Sequence, residues 1–382
     1  MRKRMRAEID RIPKLEAWLA DPGRSTHVVF QGLDLTPYER ELCDLRVDHC
    51  IFIGCRFSPA VAMHFAHRGA VMIPEIAGKA FNVFRTQLYS PEELFAGFDD
   101  HHPESYGETP DANIYRSYMA APARERDVGL DEILARRLHD FSITDALQDF
   151  LADRGARGVI AMMGGHDALR GVEAYRAIAW LTQRLTREGF LIVSGGGPGI
   201  MEAANLGAYF ANESEETLTV AIDELAKAPT FQPIGEWLAH AWRARRAVRK
   251  PGRSIGVPTW FYGHEPPNAF ATDIAKYFEN SEREEGLLAI ASDGIVFAEG
   301  NAGTIQEIFQ DANQNYYKTY NKRASPMVLF GREYWTQRKE VYPLLMTLAR
   351  EKQFDDVVLI SDDPREIAAF LQDVASRHKS GA

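Results

Sequence analysis

From about Val159 onward, short apolar runs alternate with longer segments in which apolar residues recur every three to four positions. The short runs have the length of buried strands, and the longer segments have the period of amphipathic helices. This alternation predicts an α/β fold with a doubly wound, mostly parallel, Rossmann-like sheet that binds ligands at the carboxyl ends of its strands. The predicted strands are Val159–Met163, Leu191–Val193, Leu218–Ile222, Ser254–Phe261, Gly294–Phe297, Pro326–Phe330 and Val357–Ile360. The predicted helices are Ala174–Glu188, Ile200–Ala211, Ile305–Tyr317, Thr336–Glu351 and Pro364–Arg377.

The residues before about position 150 follow a different pattern, with a period nearer to two. Short apolar runs at Val28–Gln31, Ile51–Cys55 and Ala70–Ile73 are separated by charged and glycine-containing turns, which predicts an additional N-terminal α+β domain. We expect residues 1–148 to form this domain and its connector. Residues 149–382 then form the Rossmann-like nucleotide-binding domain.

The connector is expected at Phe98–Glu125, because this segment is rich in Pro, Gly and Ser. The adjacent His101 and His102 could bind a metal with neighbouring aspartates, but the segment lacks the ligand spacing of structural metal sites. We therefore expect a solvated loop and no metal. Leu130–Leu151 is predicted to be a helix that leads into the second domain.

Composition and charge narrow the class of partner. The chain has 382 residues, of which 45% are hydrophobic, enough for a large core. Its 44 Lys and Arg and 54 Asp and Glu give a net charge of −10, which argues against a general binder of nucleic acid or anionic membranes. The basic stretch Arg243–Arg253 is expected to be a solvated or subunit-contacting face. No apolar run approaches the roughly 18 residues of a membrane span, and charged residues follow the basic start, so we expect a cytoplasmic protein.

The most informative motif is a glycine run between a predicted strand and a predicted helix. Its sequence over residues 194–201 is S-G-G-G-P-G-I-M. Four glycines in five positions remove Cβ atoms that would exclude an anion, so backbone N–H groups and a helix N-terminus can converge on a phosphate. The alternative is a turn that only lets strand and helix pack closely. Ile200 occupies the third glycine position of the dinucleotide fingerprint, and no Lys-Ser or Lys-Thr follows, so the motif predicts a mononucleotide or sugar-phosphate site.

A second strand–turn–helix element lies near residue 300. The apolar run D-G-I-V-F at residues 293–297 is followed by A-E-G-N-A-G-T and a helical segment. Gly303 and Thr304 begin this helix, where N–H groups and a hydroxyl can bind phosphate oxygens or simply cap the helix. Glu307 follows one turn later. The sequence therefore predicts two anion-compatible turns at one edge of the sheet.

These motifs resemble those of the Lonely Guy (LOG) family of nucleoside 5′-monophosphate phosphoribohydrolases, which carry the signatures G-G-G-x-x-G-x-M and P-G-G-x-G-T-x-x-E. Residues 195–201 match the first signature with one residue fewer between the third and fourth glycines. Glu299 and Asn301 replace the Pro and the second Gly of the second signature. That signature is otherwise matched at Gly300, Gly303, Thr304 and Glu307.

Two further positions agree with the same family. Met163–His166 corresponds to its opening phosphate-side turn, and Arg283 corresponds to its catalytic arginine. The resemblance covers about residues 155–375. The additional residues before this range indicate a long-form subgroup.

The resemblance implies hydrolysis of the N-glycosidic bond of a nucleoside monophosphate or a related sugar phosphate, giving a free base and ribose 5-phosphate. It implies a homodimer and a reaction without a cofactor or a metal, while the net charge of −10 argues against a nucleic-acid or membrane partner. Glu307 is the implied catalytic carboxylate, which would stabilise the ribosyl cation, bind ribose hydroxyls or orient water. Arg283 would position Glu307, contact phosphate or assist the departing base. The implied phosphate- and nucleotide-binding residues are Gly164, Gly165, Gly195, Gly196, Gly197, Gly199, Met201, Gly300, Gly303 and Thr304.

Other readings of the sequence remain open or are disfavoured. A catalytically weak or inactive nucleotide-binding or sensing protein is the main alternative, because Glu299 would repel a phosphate unless it were neutralised or turned away. Lysine decarboxylation, a label attached to LOG proteins, needs a Schiff-base lysine, and residues 151–226 contain none. Lys276 is expected on a solvated face.

The aromatic segment Pro258–Asn268 could line a base pocket or could pack as a loop. His264 and Asn268 are its candidate base contacts.

Overall fold

The chain folds into two units, each with its own parallel sheet. The structure, a computed structural model, describes residues 7–21, 27–120, 129–153, 155, 157–261, 265–319 and 323–380. The amino-terminal unit takes in the described parts of Met1–Leu88 and Ala120–Ala152, and the Rossmann-like unit takes in those of Tyr89–Met119 and Asp153–Ala382. Residues 89–119 therefore belong to the Rossmann-like unit, although they precede the predicted boundary at residue 148.

The elements up to residue 153 are mostly short, apart from the last helix. Single 3-10 turns occur at Thr36–Tyr38 and Pro103–Glu108. In chain order the elements are β1 (Ala7–Ile9), α1 (Ile12–Ala20), β2 (Val28–Gln31), α2 (Glu39–Cys43), β3 (Ile51–Ile53), α3 (Pro59–His67), β4 (Val71–Ile73), α4 (Pro91–Leu94), α5 (Pro110–Ala120) and α6 (Leu130–Asp153).

The amino-terminal unit contains a four-stranded sheet in the order β1-β2-β3-β4, and its neighbouring strands all pair in parallel. The unit combines helices with strands, as expected, while the parallel pairing was not specified by the short apolar runs. Its core is a stack of aromatic rings, in which Phe52 lies between Phe30 at 4.7 Å and Phe65 at 5.2 Å between ring centroids. The predicted helix at Leu130–Leu151 is confirmed as α6.

The remaining elements alternate between strand and helix, as the sequence pattern predicts. In chain order they are β5 (Gly158–Met163), α7 (Glu173–Arg187), β6 (Phe190–Ser194), α8 (Ile200–Tyr209), α9 (Glu215–Leu225), α10 (Ile234–Arg245), β7 (Ser254–Gly256), β8 (Asp273–Ile274), α11 (Asn280–Ile290), β9 (Ile295–Phe297), α12 (Ala302–Tyr317), β10 (Met327–Phe330), α13 (Val341–Glu351), β11 (Val358–Ser361) and α14 (Pro364–Ser380).

The sheet of the Rossmann-like unit has seven parallel strands in the order β11-β10-β9-β5-β6-β7-β8. On one side of the sheet the strands follow in chain order from β5 to β8, and on the other side they follow in chain order from β9 to β11. The predicted doubly wound α/β fold is thereby confirmed. The topological switch point lies between β5 and β9, where open parallel sheets bind their ligands.

Three segments differ from their predicted structure. Leu218–Ile222, predicted as a strand, lies inside α9, because Ser214 accepts a hydrogen bond from the Thr217 N–H and caps the helix. The strand predicted at Ser254–Phe261 ends at Gly256. The helix predicted at Thr336–Glu351 is a π-helical turn at Tyr334–Arg338 followed by α13.

The predicted connector at Phe98–Glu125 is also ordered over its described part. Its helix α5 buries Asp111, whose carboxylate accepts hydrogen bonds from Lys276 Nζ at 2.6 Å and Trp260 Nε1 at 3.2 Å. Tyr106 donates a third hydrogen bond to the same carboxylate at 3.0 Å. Lys276 is thus fully buried and the expectation of a solvated lysine was wrong, since an opposite charge on a distant segment receives it.

Among the described residues, no helix combines the length and the apolar character needed to cross a membrane.

Candidate functional site

A cavity of about 710 Å³ lies at the switch point of the seven-stranded sheet. Its walls come from the turn after β5, the start of α8, the helix α11, and the first turns of α12. The cavity is large enough for a mononucleotide, whose binding sites in proteins measure about 300–1,000 Å³. The predicted site residues that line it are Gly164, Gly165, Met201, Arg283, Gly303, Thr304 and Glu307.

A buried arginine–glutamate pair forms the centre of this cavity. The helices α11 and α12 contact each other and bring Arg283 Nη1 to 3.5 Å from Glu307 Oε1. Arg283 also donates from Nε to the Val257 carbonyl oxygen at 2.9 Å, which fixes the direction of its guanidinium group. Both side chains are more than 90% buried.

Glu307 has an unusual protonation equilibrium. Burial raises the pKa of its carboxyl group to about 7, Arg283 partly opposes the rise, and the nearby Glu284 adds to it. At neutral pH the carboxyl group is therefore close to half ionised. A carboxyl group of this kind can serve as a base or as a carboxylate that stabilises a developing cation.

The rest of the charged lining is acidic. Asp167, Glu265 and Glu284 line the cavity beside Glu307, and Arg283 is the one lysine or arginine among its described lining residues. Gln306 donates to Glu284 at 2.6 Å. His166 lies 3.4 Å from Glu265. The carboxylates therefore disfavour an anion over most of the wall and leave it only the N-terminus of a helix.

That N-terminus belongs to α12. Its first turn contains Gly303 and Thr304, and a Cβ atom on Gly303 would meet open space. The opening is shaped by Gly300, because a Cβ atom at this position would collide with Thr304. Tyr334 donates a hydrogen bond to the Gly300 carbonyl oxygen at 2.6 Å. The turn is thus held open next to N–H groups that suit a phosphate.

The four-glycine turn lies behind the wall of the cavity. Gly195, Gly196, Gly197 and Gly199 are all buried, and a Cβ atom on Gly195 would collide with the Arg283 guanidinium. Gly196 (φ +75°) would clash with Pro258 at 2.7 Å, and Gly199 (φ +66°) with the Gly165 carbonyl oxygen. This geometry agrees with the close-packing alternative. Phosphate binding by these four glycines stays a prediction.

A buried hydrogen-bond network holds the turn in place. Asn268 donates from its backbone to Gly196 at 2.8 Å, and from its side chain to Gly197 at 3.2 Å and to Asn205 at 2.8 Å. Ser194 donates to the same Asn205 oxygen at 2.7 Å. Asn268 is therefore fully buried and packs against the glycine turn, while His264 lies outside the described residues.

The two departures from the LOG signature are accommodated. Glu299 lies 4.0 Å from Arg338 and is half exposed, whereas its backbone carbonyl accepts a hydrogen bond from the Gly165 N–H at 2.9 Å. Asn301 precedes α12 with φ −99°, so a side chain fits there without strain. Glu299 is therefore turned toward a cation and does not line the cavity.

Several lining residues were not predicted from the sequence. Phe231, Gln232 and Glu284 belong to no motif, and Gln306 is an unspecified position of the second signature. Glu265, by contrast, belongs to the segment Pro258–Asn268, one of whose two predicted roles is to line a pocket. Phe231 packs edge-on against His166, with ring centroids 6.2 Å apart. Glu284, adjacent to Arg283, is the one that a helical reading of α11 could have suggested.

The basic stretch Arg243–Arg253 is largely paired within the Rossmann-like unit. Arg243 and Arg246 both contact Asp100. Arg253 lies 3.0 Å from Asp273. These pairs reduce the positive field that a polynucleotide would need.

The sequence matches no known family model and no curated protein. Among solved structures, the chain is similar to the Moco carrier protein from Chlamydomonas reinhardtii at 17% identity and a TM-score of 0.37, over 58% of this chain and 98% of that chain. It is also similar to the molybdenum cofactor binding protein from the phototrophic bacterium Rippkaea orientalis at 15% identity and a TM-score of 0.34, over 58% of this chain and 99% of that chain. Likenesses of this size identify neither a ligand nor a reaction. The strand order of the chain itself establishes a doubly wound parallel sheet of Rossmann type.

Proposed function

We propose that the protein hydrolyses the N-glycosidic bond of a nucleoside 5′-monophosphate, or of a closely related sugar phosphate, and releases ribose 5-phosphate and the free base. The observation that carries this proposal is the buried Glu307 carboxyl group, 3.5 Å from Arg283, one helical turn away from the open N-terminus of α12. The resemblance of the motifs to those of LOG enzymes supports the same reaction.

The phosphate would bind at the first turn of α12. The N–H groups of Gly303 and Thr304 and the helix dipole favour an anion there. Glu307 follows by about one 5.4 Å turn of the same helix, so a ribose bound by its phosphate would extend toward the carboxylate. Binding energy from the phosphate would then position the anomeric carbon for reaction.

The carboxylate would act on the developing charge of the sugar. Cleavage of an N-glycosidic bond passes through an oxocarbenium-like transition state, which a buried carboxylate stabilises more strongly than water does. Glu307 in its ionised form would stabilise this cation or orient the attacking water. Arg283 would hold the carboxylate in place and favour its ionised form.

The base would lie toward the loop that carries Phe231. The Phe231 and His166 rings, together with the Gln232 amide, offer stacking surface and hydrogen-bond groups on this wall. A homodimer in the cytoplasm remains part of the proposal, on the basis of the LOG resemblance and the sequence pattern.

The second candidate is a nucleotide-binding protein without turnover. It is favoured by the two departures from the second LOG signature, Glu299 and Asn301, of which Asn301 lines the cavity directly before α12.

The test is direct incubation of the purified protein with AMP, GMP, CMP, UMP and IMP, followed by chromatography for free base. We expect base release from at least one nucleotide, none from the matching nucleoside, and none from Glu307→Gln. Asp311→Asn is the matched control, since Asp311 is buried one turn further along α12, and burial keeps its pKa well above the usual range. Nucleotide binding without base release would favour the second candidate, and unchanged turnover in Glu307→Gln would remove Glu307 from the mechanism.

A further inference from the structure

The amino-terminal unit contains a second cavity, which the proposed reaction does not use. It has a volume of about 370 Å³ and lies where β2, β3 and β4 end. Gly32 and Asp34 follow β2, Arg56 follows β3, and Glu75 follows β4. Because the three strands are parallel, their carboxyl ends meet at one edge of the sheet.

Apolar side chains form part of the floor of this cavity, whereas most of its remaining lining is polar. Leu33, Phe81, Val83 and Phe84 line it, and each is more than 90% buried. Gly54 allows Phe84 to approach the end of β3, since a Cβ atom there would collide with the Phe84 ring. The floor is therefore a fixed surface that suits a small apolar group.

The rim carries charges of both signs. Arg56 Nη1 lies 3.6 Å from Asp34 Oδ2, and Arg56 Nη2 lies 3.5 Å from Glu75 Oε2. Both separations exceed the 2.7–3.2 Å of an N–H···O hydrogen bond, so the guanidinium can turn to a ligand at little cost. Lys79 is already engaged, with Nζ at 2.7 Å from Asp131 and 3.1 Å from Glu132.

We propose that this cavity binds a free α-amino acid with an apolar side chain. The Arg56 guanidinium matches the α-carboxylate as a two-pronged donor, and the flanking carboxylates of Asp34 and Glu75 match the α-ammonium group. The side chain then lies on the apolar floor. A phosphate or a nucleotide is disfavoured, since the same two carboxylates stand beside the one available cation.

The experiment is calorimetric titration of the full chain with L-leucine, L-methionine and L-phenylalanine. At least one of the three binds saturably, and the corresponding amide and the N-acetyl derivative bind at least tenfold more weakly, because each lacks one of the two charges. No saturable binding of the three amino acids, or equal binding of the amide, overturns the proposal. These comparisons use the unaltered protein.

The variants locate the site. Arg56→Gln weakens binding at least tenfold, while Arg46→Gln, which alters an exposed arginine paired with Asp48 in the same unit, leaves it unchanged. Unchanged binding in Arg56→Gln, or displacement of the amino acid by inorganic phosphate or AMP, contradicts the assignment. We expect Glu307→Gln to bind the amino acid as tightly as the natural chain does. The result of the amino-acid titration is therefore independent of the result of the nucleosidase test.

Discussion

At the scale of single residues, the protonation of Glu307 connects its environment to the proposed chemistry. The carboxyl group is buried beside one cation and near a second carboxylate, Glu284, and its pKa is raised to about 7. The motif and the LOG resemblance predicted Glu307 and Arg283 as site residues, and the structure brings them within 3.5 Å. Phe231 and Gln232 could not be predicted, because they reach the cavity through tertiary packing and belong to no local pattern.

The first prediction concerns the pH dependence of base release. If the ionised carboxylate is the active form, kcat/KM rises as pH increases through about 7 and levels off above it, with roughly a tenfold loss for each pH unit below the transition. Glu284→Gln removes a charge that raises the Glu307 pKa, so the midpoint moves to lower pH. Rates measured between pH 5.5 and 8.5 decide this, and a midpoint that does not move with Glu284→Gln contradicts it.

The second prediction concerns stability. The folded-state pKa of Glu307, about 7, lies above the reference value of 4.5 for an unfolded glutamate, so the folded state holds the proton more tightly. The resulting contribution to stability is complete below pH 4.5 and is lost as pH rises through 7. The side chain of Glu307→Gln cannot ionise, so the variant does not lose this contribution. The unfolding free energy of the variant minus that of the natural chain is therefore about 2–3 kcal/mol higher at pH 8 than at pH 4. Urea unfolding at both pH values measures this, and an equal difference at the two contradicts it.

At the scale of elements, the two glycine-rich turns have different environments. The turn before α8 is enclosed by backbone and by the Asn268 network, whereas the turn before α12 faces the cavity. The two turns have the same appearance in the sequence. A glycine in the sequence does not reveal whether protein atoms or a ligand occupy the space where its Cβ atom would be.

The third prediction separates these turns by thermal unfolding. Gly199→Ala loses more stability than Gly97→Ala, because both positions have a positive φ, but Gly199 with ψ −129° lies outside the left-handed helical region and its Cβ would meet a carbonyl oxygen. Gly97→Ala loses about 1–2 kcal/mol from backbone strain alone. Gly303→Ala is nearly neutral, since its Cβ meets open space. Equal melting temperatures for the Gly199 and Gly97 variants contradict close packing at Gly199.

The fourth prediction concerns the first turn of α12. Thr304→Val keeps the shape of the side chain and removes its hydroxyl, so the Kd for AMP rises about three- to tenfold, the loss of one hydrogen bond, while adenosine binds unchanged. Calorimetric titration with both ligands measures this. Equal weakening of AMP and adenosine shows that the hydroxyl acts on the fold and not on the phosphate.

The mistaken strand at Leu218–Ile222 shows why elements can be misread. Its residues L-T-V-A-I form an apolar, β-branched run, but Leu218, Ala221, Ile222 and Leu225 are buried at helical spacing. The preceding Ser214 and two glutamates in the first turn are helix-start signals. Capping and dipole effects here outweigh the modest strand preference of β-branched residues. The longer strands, by contrast, were predicted correctly, because a continuous apolar run is typical of a strand that is buried on both faces of a parallel sheet.

At the scale of the whole molecule, the described part of the predicted connector Phe98–Glu125 is the feature that sequence reasoning misjudged most. Its Pro, Gly and Ser content is typical of a linker, yet Asp111 and Lys276 form an ion pair whose members are 165 positions apart and fully buried. The residues around Asp111 and those around Lys276 contain no local pattern that indicates contact between the two segments.

The fifth prediction concerns this pair. Lys276→Met leaves the Asp111 carboxylate buried without its cation and lowers the unfolding free energy by about 3–5 kcal/mol. Adding Asp111→Asn recovers part of the loss, because the charge is removed while the Asn oxygen can still accept from Trp260 Nε1 and the Asn NH2 group can donate to the Tyr106 hydroxyl oxygen. A double-mutant cycle by urea unfolding measures the coupling, and additive effects of the two changes contradict it.

The same ion pair sets an order of events during synthesis. Asp111 leaves the ribosome 165 residues before Lys276, a delay of roughly 8–33 seconds at 5–20 residues per second. During this interval the residues after Met119 that complete the amino-terminal unit emerge first. The nascent chain therefore carries a segment with a carboxylate and several aromatic rings while the amino-terminal unit is completed, and this segment meets its lysine when only about half of Asp153–Ala382 has been translated.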